Sequence, residues 1–288
     1  MKRGVQAEFE LPWIVVDRIV TLALEEDLGS GDMTTEACVD AGALAVAHAV
    51  ARSSTIVCGG PVFARVFSRI DASLVVHSHA AEGARAAANT RLWTVKGRAR
   101  SILMAERVAL NFVQRMCGVA SQTRAFVDAV PPDARACITD TRKTTPGLRA
   151  LERYAVRVGG GKNHRDNLGA AVLIKDNHIA ACGGVGRAIA RARAAAPHTS
   201  KIECEVDSLE QLDEALAAGA DVLLLDNMET PVLAEAVRRS RGRVILEASG
   251  GIGLDRVAEI AAAGVDRISV GALTYSVPAA DIGLDFEG

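Results

Sequence analysis

The chain has 288 residues, which is enough for one large domain or for a barrel with a smaller companion domain. Hydrophobic residues make up 49% of it and aromatic residues only 3%, so the core is expected to be aliphatic and rich in alanine. A formal charge of −2 excludes a broad basic surface, and no apolar run approaches the roughly 18 residues of a membrane span. We therefore expect a soluble, cytoplasmic protein that binds neither nucleic acid nor membrane.

The N-terminal part predicts helices and short strands. Residues 12–28 carry apolar positions at helical spacing, and residues 30–35 form a polar loop in which Asp32 and Thr34 are typical capping and turn residues. The pattern becomes β-like over residues 44–57, 74–77 and 92–95. His77 and His79 stand in an H-x-H pair, but no third ligand is nearby, which favours a polar strand face over a metal site.

A strong amphipathic helix is predicted over residues 101–117. Its apolar stripe consists of Ile102, Ala105, Ala109, Phe112, Val113 and Met116. Arg107, Asn111 and Gln114 form a polar row on another face, which suggests an internal polar surface. The six cysteines are scattered without a C-x-x-C spacing, so we interpret them as reduced and mostly buried.

From about residue 134 onward, short apolar runs alternate with helical patterns. The runs cover residues 136–139, 171–174, 201–206, 221–225, 244–248 and 267–270. Such βα repetition predicts a parallel sheet that is covered on both faces. The series has no G-x-G-x-x-G at its start, so a (β/α) barrel is favoured over an open doubly wound sheet.

Five successive runs end in a polar or small residue: Lys175, Glu205, Asp226, Ser249 and Gly271. The carboxyl ends of barrel strands meet at one mouth, where active sites lie. Each residue alone could merely cap the next helix, but five in succession favour a site.

The predicted mouth combines cations, acids and glycine loops. Its cations are Arg142, Lys143, His164, Arg165 and Lys175, which suit carboxylates and phosphates. Glu205 and Asp226 could bind sugar hydroxyls or Mg²⁺. The loops Ser249-Gly250-Gly251 and Ser269-Val270-Gly271 suit a phosphate, and residues 159–161 let the chain pass close to a ligand. This combination indicates phosphoribosyl pyrophosphate and an acidic acceptor.

The same residues resemble the quinolinate phosphoribosyltransferase family. The similar segments run nearly end to end and include GDMT at 31–34, DTRKT at 140–144, NHR at 163–165, LIKDNH at 173–178, EASGG at 247–251 and GALT at 271–274. Glu203 and Glu205 belong to the match, whereas Tyr275 stands where many members have His.

The resemblance implies an α/β protein with an N-terminal α/β sandwich domain at 1–117 and an incomplete α/β barrel at 118–275. Residues 276–288 would return toward the first domain. It also implies a homodimer in which Arg107 reaches the site of the neighbouring subunit.

The roles implied by the resemblance can be placed on this chain. Quinolinate would be held by Arg107, Arg142, His164, Arg165 and Lys175, and Thr141 would also belong to the substrate-binding residues. Lys143 and Lys175 would face pyrophosphate, Glu205 and Asp226 the ribose and Mg²⁺, and the loops of Ser249, Gly250, Gly251, Ser269, Val270 and Gly271 the 5′-phosphate. Lys143, Lys175, Glu205 and Asp226 would be catalytic.

The reaction implied is phosphoribosyl transfer to quinolinate with decarboxylation, in de novo NAD biosynthesis. A related pyrophosphorylase with another acidic acceptor is the alternative, although a diacid is favoured by the cations Arg107, Arg142, His164, Arg165 and Lys175 together. A barrel that only senses phosphorylated metabolites is disfavoured by the intact acidic pair.

Overall fold

The structure is a computed structural model that describes residues 10–287. The chain divides into two compact units, which are described separately. Unit 1 consists of Met1–Arg124, Thr144–Gly160 and Leu273–Gly288, and unit 2 of Ala125–Lys143 and Gly161–Ala272.

Unit 1 is built on an antiparallel sheet with the strand order β12-β1-β5-β3, and a second sheet pairs β2 with β4. Its strands are β1 (Leu44–Ala51), β2 (Thr55–Ile56), β3 (Val75–Ser78), β4 (Arg85–Ala86), β5 (Arg91–Arg98) and β12 (Ile282–Phe286). Its helices are α1 (Trp13–Leu28), α2 (Met33–Cys38), α3 (Gly60–Ile70), most of α4 (Ala99–Asp128), α5 (Arg149–Val158) and most of α11 (Ala272–Tyr275).

Helix α3 covers the sheet of unit 1 with aromatic side chains. Phe63 and Phe67 are fully buried, and the Phe63 ring stacks on Trp93 of β5 with 5.0 Å between ring centroids. No prediction from the sequence covered α3. Two packed layers, a sheet and its helices, therefore enclose the core of this unit.

The helix predicted at 101–117 is confirmed, but it is longer than predicted. All six residues of the apolar stripe are buried, whereas Arg107 and Asn111 are exposed. The helix continues to Asp128, past Gly118, which lies directly after the predicted end and is closely packed. A Cβ on Gly118 would lie only 2.3 Å from the Pro278 carbonyl oxygen.

The two smaller N-terminal predictions also agree with the structure. Asp32 caps α2, since its carboxylate accepts a hydrogen bond of 2.9 Å from the Thr35 N–H. His77 is exposed on β3, and His79 Nε2 lies 2.7 Å from Thr94 Oγ1. Neither histidine belongs to a possible metal cluster among the residues that the structure describes.

Unit 2 alternates strands and helices around a parallel sheet of six strands in the order β6-β11-β10-β9-β8-β7. The strands are β6 (Cys137–Thr139), β7 (Val172–Ile174), β8 (Ile202–Val206), β9 (Val222–Asp226), β10 (Ile245–Ser249) and β11 (Arg267–Ser269). The helices are α6 (Asp176–Cys182), α7 (Val185–Ala195), α8 (Leu209–Ala217), α9 (Thr230–Ser240) and α10 (Val257–Ala262). The six predicted strands are thus confirmed, with ends shifted by one residue at most.

The mixed α/β fold class is confirmed. Strands β8, β9 and β10 are mostly buried along their length, as expected when helices cover a parallel sheet. A parallel bridge between Thr139 and Lys162 lies at the β6 edge of the sheet. No helix among residues 10–287 is long and apolar enough to cross a membrane.

All six cysteines are free. Cys58, Cys117 and Cys204 are buried, Cys137 and Cys182 are half-buried, and Cys38 is exposed. Burial raises the pKa of the Cys117 and Cys204 thiols to about 12, so these two behave as small apolar core residues.

Candidate active site

A cavity of about 520 Å³ opens at the carboxyl ends of the unit 2 strands. Twelve of the predicted site residues line it: Thr141, Arg142, Lys143, His164, Arg165, Lys175, Glu205, Asp226, Ser249, Gly250, Gly251 and Ser269. Leu173, Leu224, Asn227 and Glu247 complete the lining. The parallel strands bring these residues together because all six strands end on the same side of the sheet.

The cationic side of the cavity is incompletely neutralised. Arg165 donates from Nη1 to the Ala171 carbonyl oxygen at 3.0 Å, but its Nε is buried and has no hydrogen-bond partner among the described atoms. Burial and the neighbouring charge of Arg142 lower the pKa of Arg165. Two guanidinium groups crowded in this way favour an anion between them.

The acidic side consists of Glu205 and Asp226, at the ends of β8 and β9. Glu205 accepts a hydrogen bond of 2.9 Å from Lys175 Nζ, and Asp226 accepts one of 2.6 Å from Asn227 Nδ2. Only 12% of the Glu205 side chain is exposed. Two carboxylates on neighbouring strand ends suit a hard cation or sugar hydroxyls, so the residues present fit Mg²⁺.

The loop after β10 allows close approach of a ligand to the backbone. Gly250 has φ = 96°, and a Cβ there would lie 2.1 Å from Asn227 Oδ1. Gly251 has φ = 58° and nothing within 4 Å of an added Cβ, so it faces open space. Successive backbone amides in such a loop are suited to a phosphate.

Three residues that were predicted to belong to the site do not line this cavity. Val270 is buried, and its N–H donates to the Thr139 carbonyl oxygen at 3.0 Å. Gly271 follows it directly, and neither residue lines the cavity. Arg107 lies on α4 in unit 1 with an exposed side chain.

No role was predicted for two acids at this site: Glu247 of β10, which lines the cavity, and Glu203 of β8, which does not. His164 Nε2 lies 3.2 Å from Glu203 Oε2 and 3.6 Å from Glu247 Oε1. The atoms of His164, Glu203 and Glu247 that could bind a metal ion lie within 4.8 Å of one another, and His164 Nε2 is hydrogen-bonded to Glu203. The two-residue periodicity of a strand could have identified both acids, because each stands two residues before a predicted site residue, Glu205 or Ser249, and so shares its face of the strand.

The arrangement can bind an anionic acceptor beside a phosphorylated sugar. Guanidinium, imidazole and ammonium groups converge on one side, and a pair of carboxylates and a glycine loop lie on the other. Fold and cavity together define an α/β enzyme that acts on anionic, phosphorylated substrates.

Comparison with known proteins narrows this class. Residues 32–117 match the quinolinate phosphoribosyl transferase N-terminal domain, and residues 119–285 match the C-terminal domain of the same family. The chain therefore belongs to the quinolinate phosphoribosyl transferase family, as the motifs in its sequence predicted.

Individual relatives agree with the family match. A nicotinate-nucleotide pyrophosphorylase [carboxylating] of Mycobacterium leprae is 48% identical over 270 residues, which cover 91% of this chain and 94% of that protein. A probable enzyme of the same name from Bacillus subtilis is 42% identical, with 90% and 89% covered. The solved structure of the nicotinate-nucleotide pyrophosphorylase from Francisella tularensis superposes with a TM-score of 0.92 at 38% identity, covering 96% of this chain and 98% of that one.

Proposed function

We propose that this protein transfers the phosphoribosyl group of phosphoribosyl pyrophosphate to quinolinate with loss of CO₂, forming nicotinate mononucleotide and pyrophosphate in de novo NAD biosynthesis. The observation that carries the proposal is the crowded cationic side of the cavity. The buried Nε of Arg165 and the neighbouring charge of Arg142 favour an acceptor with more than one carboxylate.

The first step forms one bond and breaks another. The pyridine nitrogen of quinolinate attacks the anomeric carbon of the ribose, and the bond from that carbon to pyrophosphate breaks with its electron pair on the leaving oxygen. Positive charge develops on the sugar, where Glu205 and Asp226 stabilise it, and negative charge develops on pyrophosphate, where Lys143 and Lys175 offset it.

Glu205 and Asp226 are also the residues that would hold Mg²⁺, which supplies charge neutralisation for the phosphate oxygens when it is bound. The loops at Ser249 and Ser269, together with Val270 and Gly271, would hold the 5′-phosphate. Thr141 and Arg142 would orient the acceptor so that its nitrogen faces the sugar.

Decarboxylation follows from the charge of the alkylated ring. The bond between ring carbon 2 and its carboxylate breaks, CO₂ leaves, and the electron pair remains on the carbon beside the cationic nitrogen until this carbon takes a proton from water. Arg142, His164 and Arg165 hold the remaining carboxylate during this step. The chain therefore positions and shields the ring and needs no further reagent.

A homodimer and a cytoplasmic location belong to the same proposal. The exposed guanidinium of Arg107, on the face of α4 opposite the buried stripe, is available to reach a neighbouring subunit. The six free thiols are typical of a reducing compartment.

The test supplies the purified protein with phosphoribosyl pyrophosphate, Mg²⁺ and quinolinate labelled at the 2-carboxylate. We expect labelled CO₂ and nicotinate mononucleotide in equal amounts. A parallel reaction with nicotinate should give neither product. Turnover of nicotinate, or pyrophosphate release without CO₂, would overturn the proposal in favour of another acceptor.

A further inference from the structure

His164 is held from two directions by buried acids. Asp140 is fully buried and accepts hydrogen bonds of 2.6 Å from the His164 backbone N–H and from Asn163 Nδ2. Glu203 and Glu247 face the imidazole at Nε2, at 3.2 and 3.6 Å. We call Asp140, Glu203 and Glu247 the acidic cradle.

The two glutamates lie one layer below the cavity mouth. Side chains alternate along a strand, so Glu203 shares a face of β8 with Glu205, and Glu247 shares a face of β10 with Ser249. Glu205 and Ser249 line the cavity, and the side chains of Glu203 and Glu247 are only 10% and 5% exposed. Glu203 and Glu247 therefore lie deeper in the unit than Glu205 and Ser249, next to the imidazole of His164.

Three buried acids around one imidazole have an electrostatic consequence. Burial by itself would lower the pKa of His164, but the hydrogen bond to Glu203 and the charges of Glu247, Glu203 and Asp140 raise it above its usual value. An imidazolium carries protons on both ring nitrogens and is a stronger anion ligand than neutral imidazole. Arg142 and Arg165, which line the same cavity, would disfavour that second charge without the cradle.

One carboxylate oxygen of Glu247 lacks a hydrogen bond. Its Oε1 is buried and has no hydrogen-bond partner among the described atoms, although His164 Nε2 lies 3.6 Å away. Burial and the neighbouring charge of Glu203 raise its pKa to about 7, against the opposing effects of His164, Ser269 and Arg267. A buried carboxyl without a full set of hydrogen bonds is costly to the fold, which favours a functional role for Glu247 beside the imidazole.

We propose that Glu203 and Glu247 are positioning residues, which keep His164 oriented and charged so that it binds a carboxylate of the acceptor. This inference rests on the proposed function for the identity of the acceptor, but the state of His164 can be measured without any substrate. Neither glutamate contacts the sugar phosphate in this proposal. Their removal should therefore weaken the binding of quinolinate and leave that of phosphoribosyl pyrophosphate unchanged.

The first experiment measures the titration of His164 by NMR in ¹⁵N-histidine-labelled protein without substrates. The His164→Asn variant identifies its signal among the six histidines. Glu203→Gln should lower the apparent pKa of His164, and Glu247→Gln should lower it less, because burial raises the pKa of Glu247 to about 7 and so reduces its negative charge near neutral pH. Glu210→Gln, an exposed glutamate on α8, is the matched control and should leave it unchanged.

The second experiment separates the two substrates by their KM values at pH 8. For Glu203→Gln and Glu247→Gln we expect the KM for quinolinate to rise about tenfold, as after loss of a charge-assisted hydrogen bond, while the KM for phosphoribosyl pyrophosphate stays unchanged. At pH 6, where Glu247 itself carries a proton, Glu247→Gln should match the wild type.

Three outcomes would overturn the inference. One is an unchanged His164 titration in both variants. Another is an equal rise of both KM values, which would indicate a general structural role. The third is a His164 titration that shifts when divalent metals are removed by chelation, which would assign the cluster to a metal ion. Lack of turnover in the wild type would refute the proposed function alone, since the NMR titration does not depend on it.

Discussion

Lys175 Nζ lies 2.9 Å from Glu205 Oε2, so that the ends of β7 and β8 are joined by an ion pair inside the candidate site. The Lys175 side chain is 48% exposed, and such an exposed pair contributes little to folding stability. The pair instead holds two predicted catalytic groups of opposite charge within reach of one substrate. A bound pyrophosphate would compete with Glu205 for the ammonium group.

Removal of that ammonium group should abolish turnover without unfolding the protein. For Lys175→Ala we expect kcat to fall about 10²- to 10³-fold, because a preorganised cation no longer faces the leaving group. Lys201→Ala is the matched control, since Lys201 is exposed and precedes β8 at the opposite end of the strand. Quinolinate-dependent pyrophosphate release measures both variants, and a near-wild-type rate for Lys175→Ala would contradict the assigned role.

A shared site predicts complementation between inactive variants. Arg107→Ala and Lys175→Ala should each be inactive alone. After subunit exchange in mixtures, hybrid dimers should contain one site with both residues, and about a quarter of the wild-type activity is expected. Mass spectrometry of differently labelled chains checks that exchange took place. Well-exchanged mixtures with no activity would argue against Arg107 reaching a neighbouring subunit.

The carboxylate pair predicts a metal requirement. Chelation by EDTA should stop turnover, and added Mg²⁺ should restore it, because the pyrophosphate charge is otherwise offset by cationic side chains alone. Asp226→Asn keeps the shape but removes a charge, so half-maximal activity should require about tenfold more Mg²⁺. Full activity in EDTA would refute the metal proposal.

The stability of unit 1 should depend on one buried carboxylate. Glu152 is 1% exposed and accepts hydrogen bonds from Arg115 Nε at 3.0 Å, Arg115 Nη2 at 2.7 Å and Thr145 N at 3.0 Å. Glu152→Ala leaves the Arg115 guanidinium without its carboxylate partner, although the carbonyl oxygen of Val277 still accepts from it, and this loss should cost about 3 kcal/mol. Thermal unfolding compares it with Glu210→Ala, and equal Tm values for the two variants would contradict the expectation.

The raised pKa of Glu247, about 7, predicts how stability changes with pH. Between the ordinary glutamate pKa and this value the folded state binds more protons than the unfolded state, so stability falls as the pH rises through that window. Glu247→Gln cannot lose a proton there. Its Tm should equal that of the wild type near pH 5 and exceed it near pH 8. A constant difference across that range would show that Glu247 does not titrate in the window.

The sequence alone determined the order of the βα units and most of the cavity lining. Apolar runs bounded by turn residues defined the strands, and Lys175, Glu205, Asp226 and Ser249 stood at their carboxyl ends. Because parallel strands end on one side of a sheet, neighbouring strand ends must meet, whatever the remaining geometry. The local pattern of apolar runs and turn residues was therefore sufficient to predict the strands and the residues at their carboxyl ends.

The tertiary structure decided which side chains meet below those strand ends. Glu203 and Glu247 lie 44 positions apart in the sequence on strands separated by β9, and neither ends its strand. Their approach to His164 depends on the lateral register of the sheet and on Asp140, which fixes the backbone of His164. Helix α4 likewise continues through Gly118, where the chain is closely packed against Pro278. Local propensity does not encode such long-range contacts, because they arise only when distant segments are packed together.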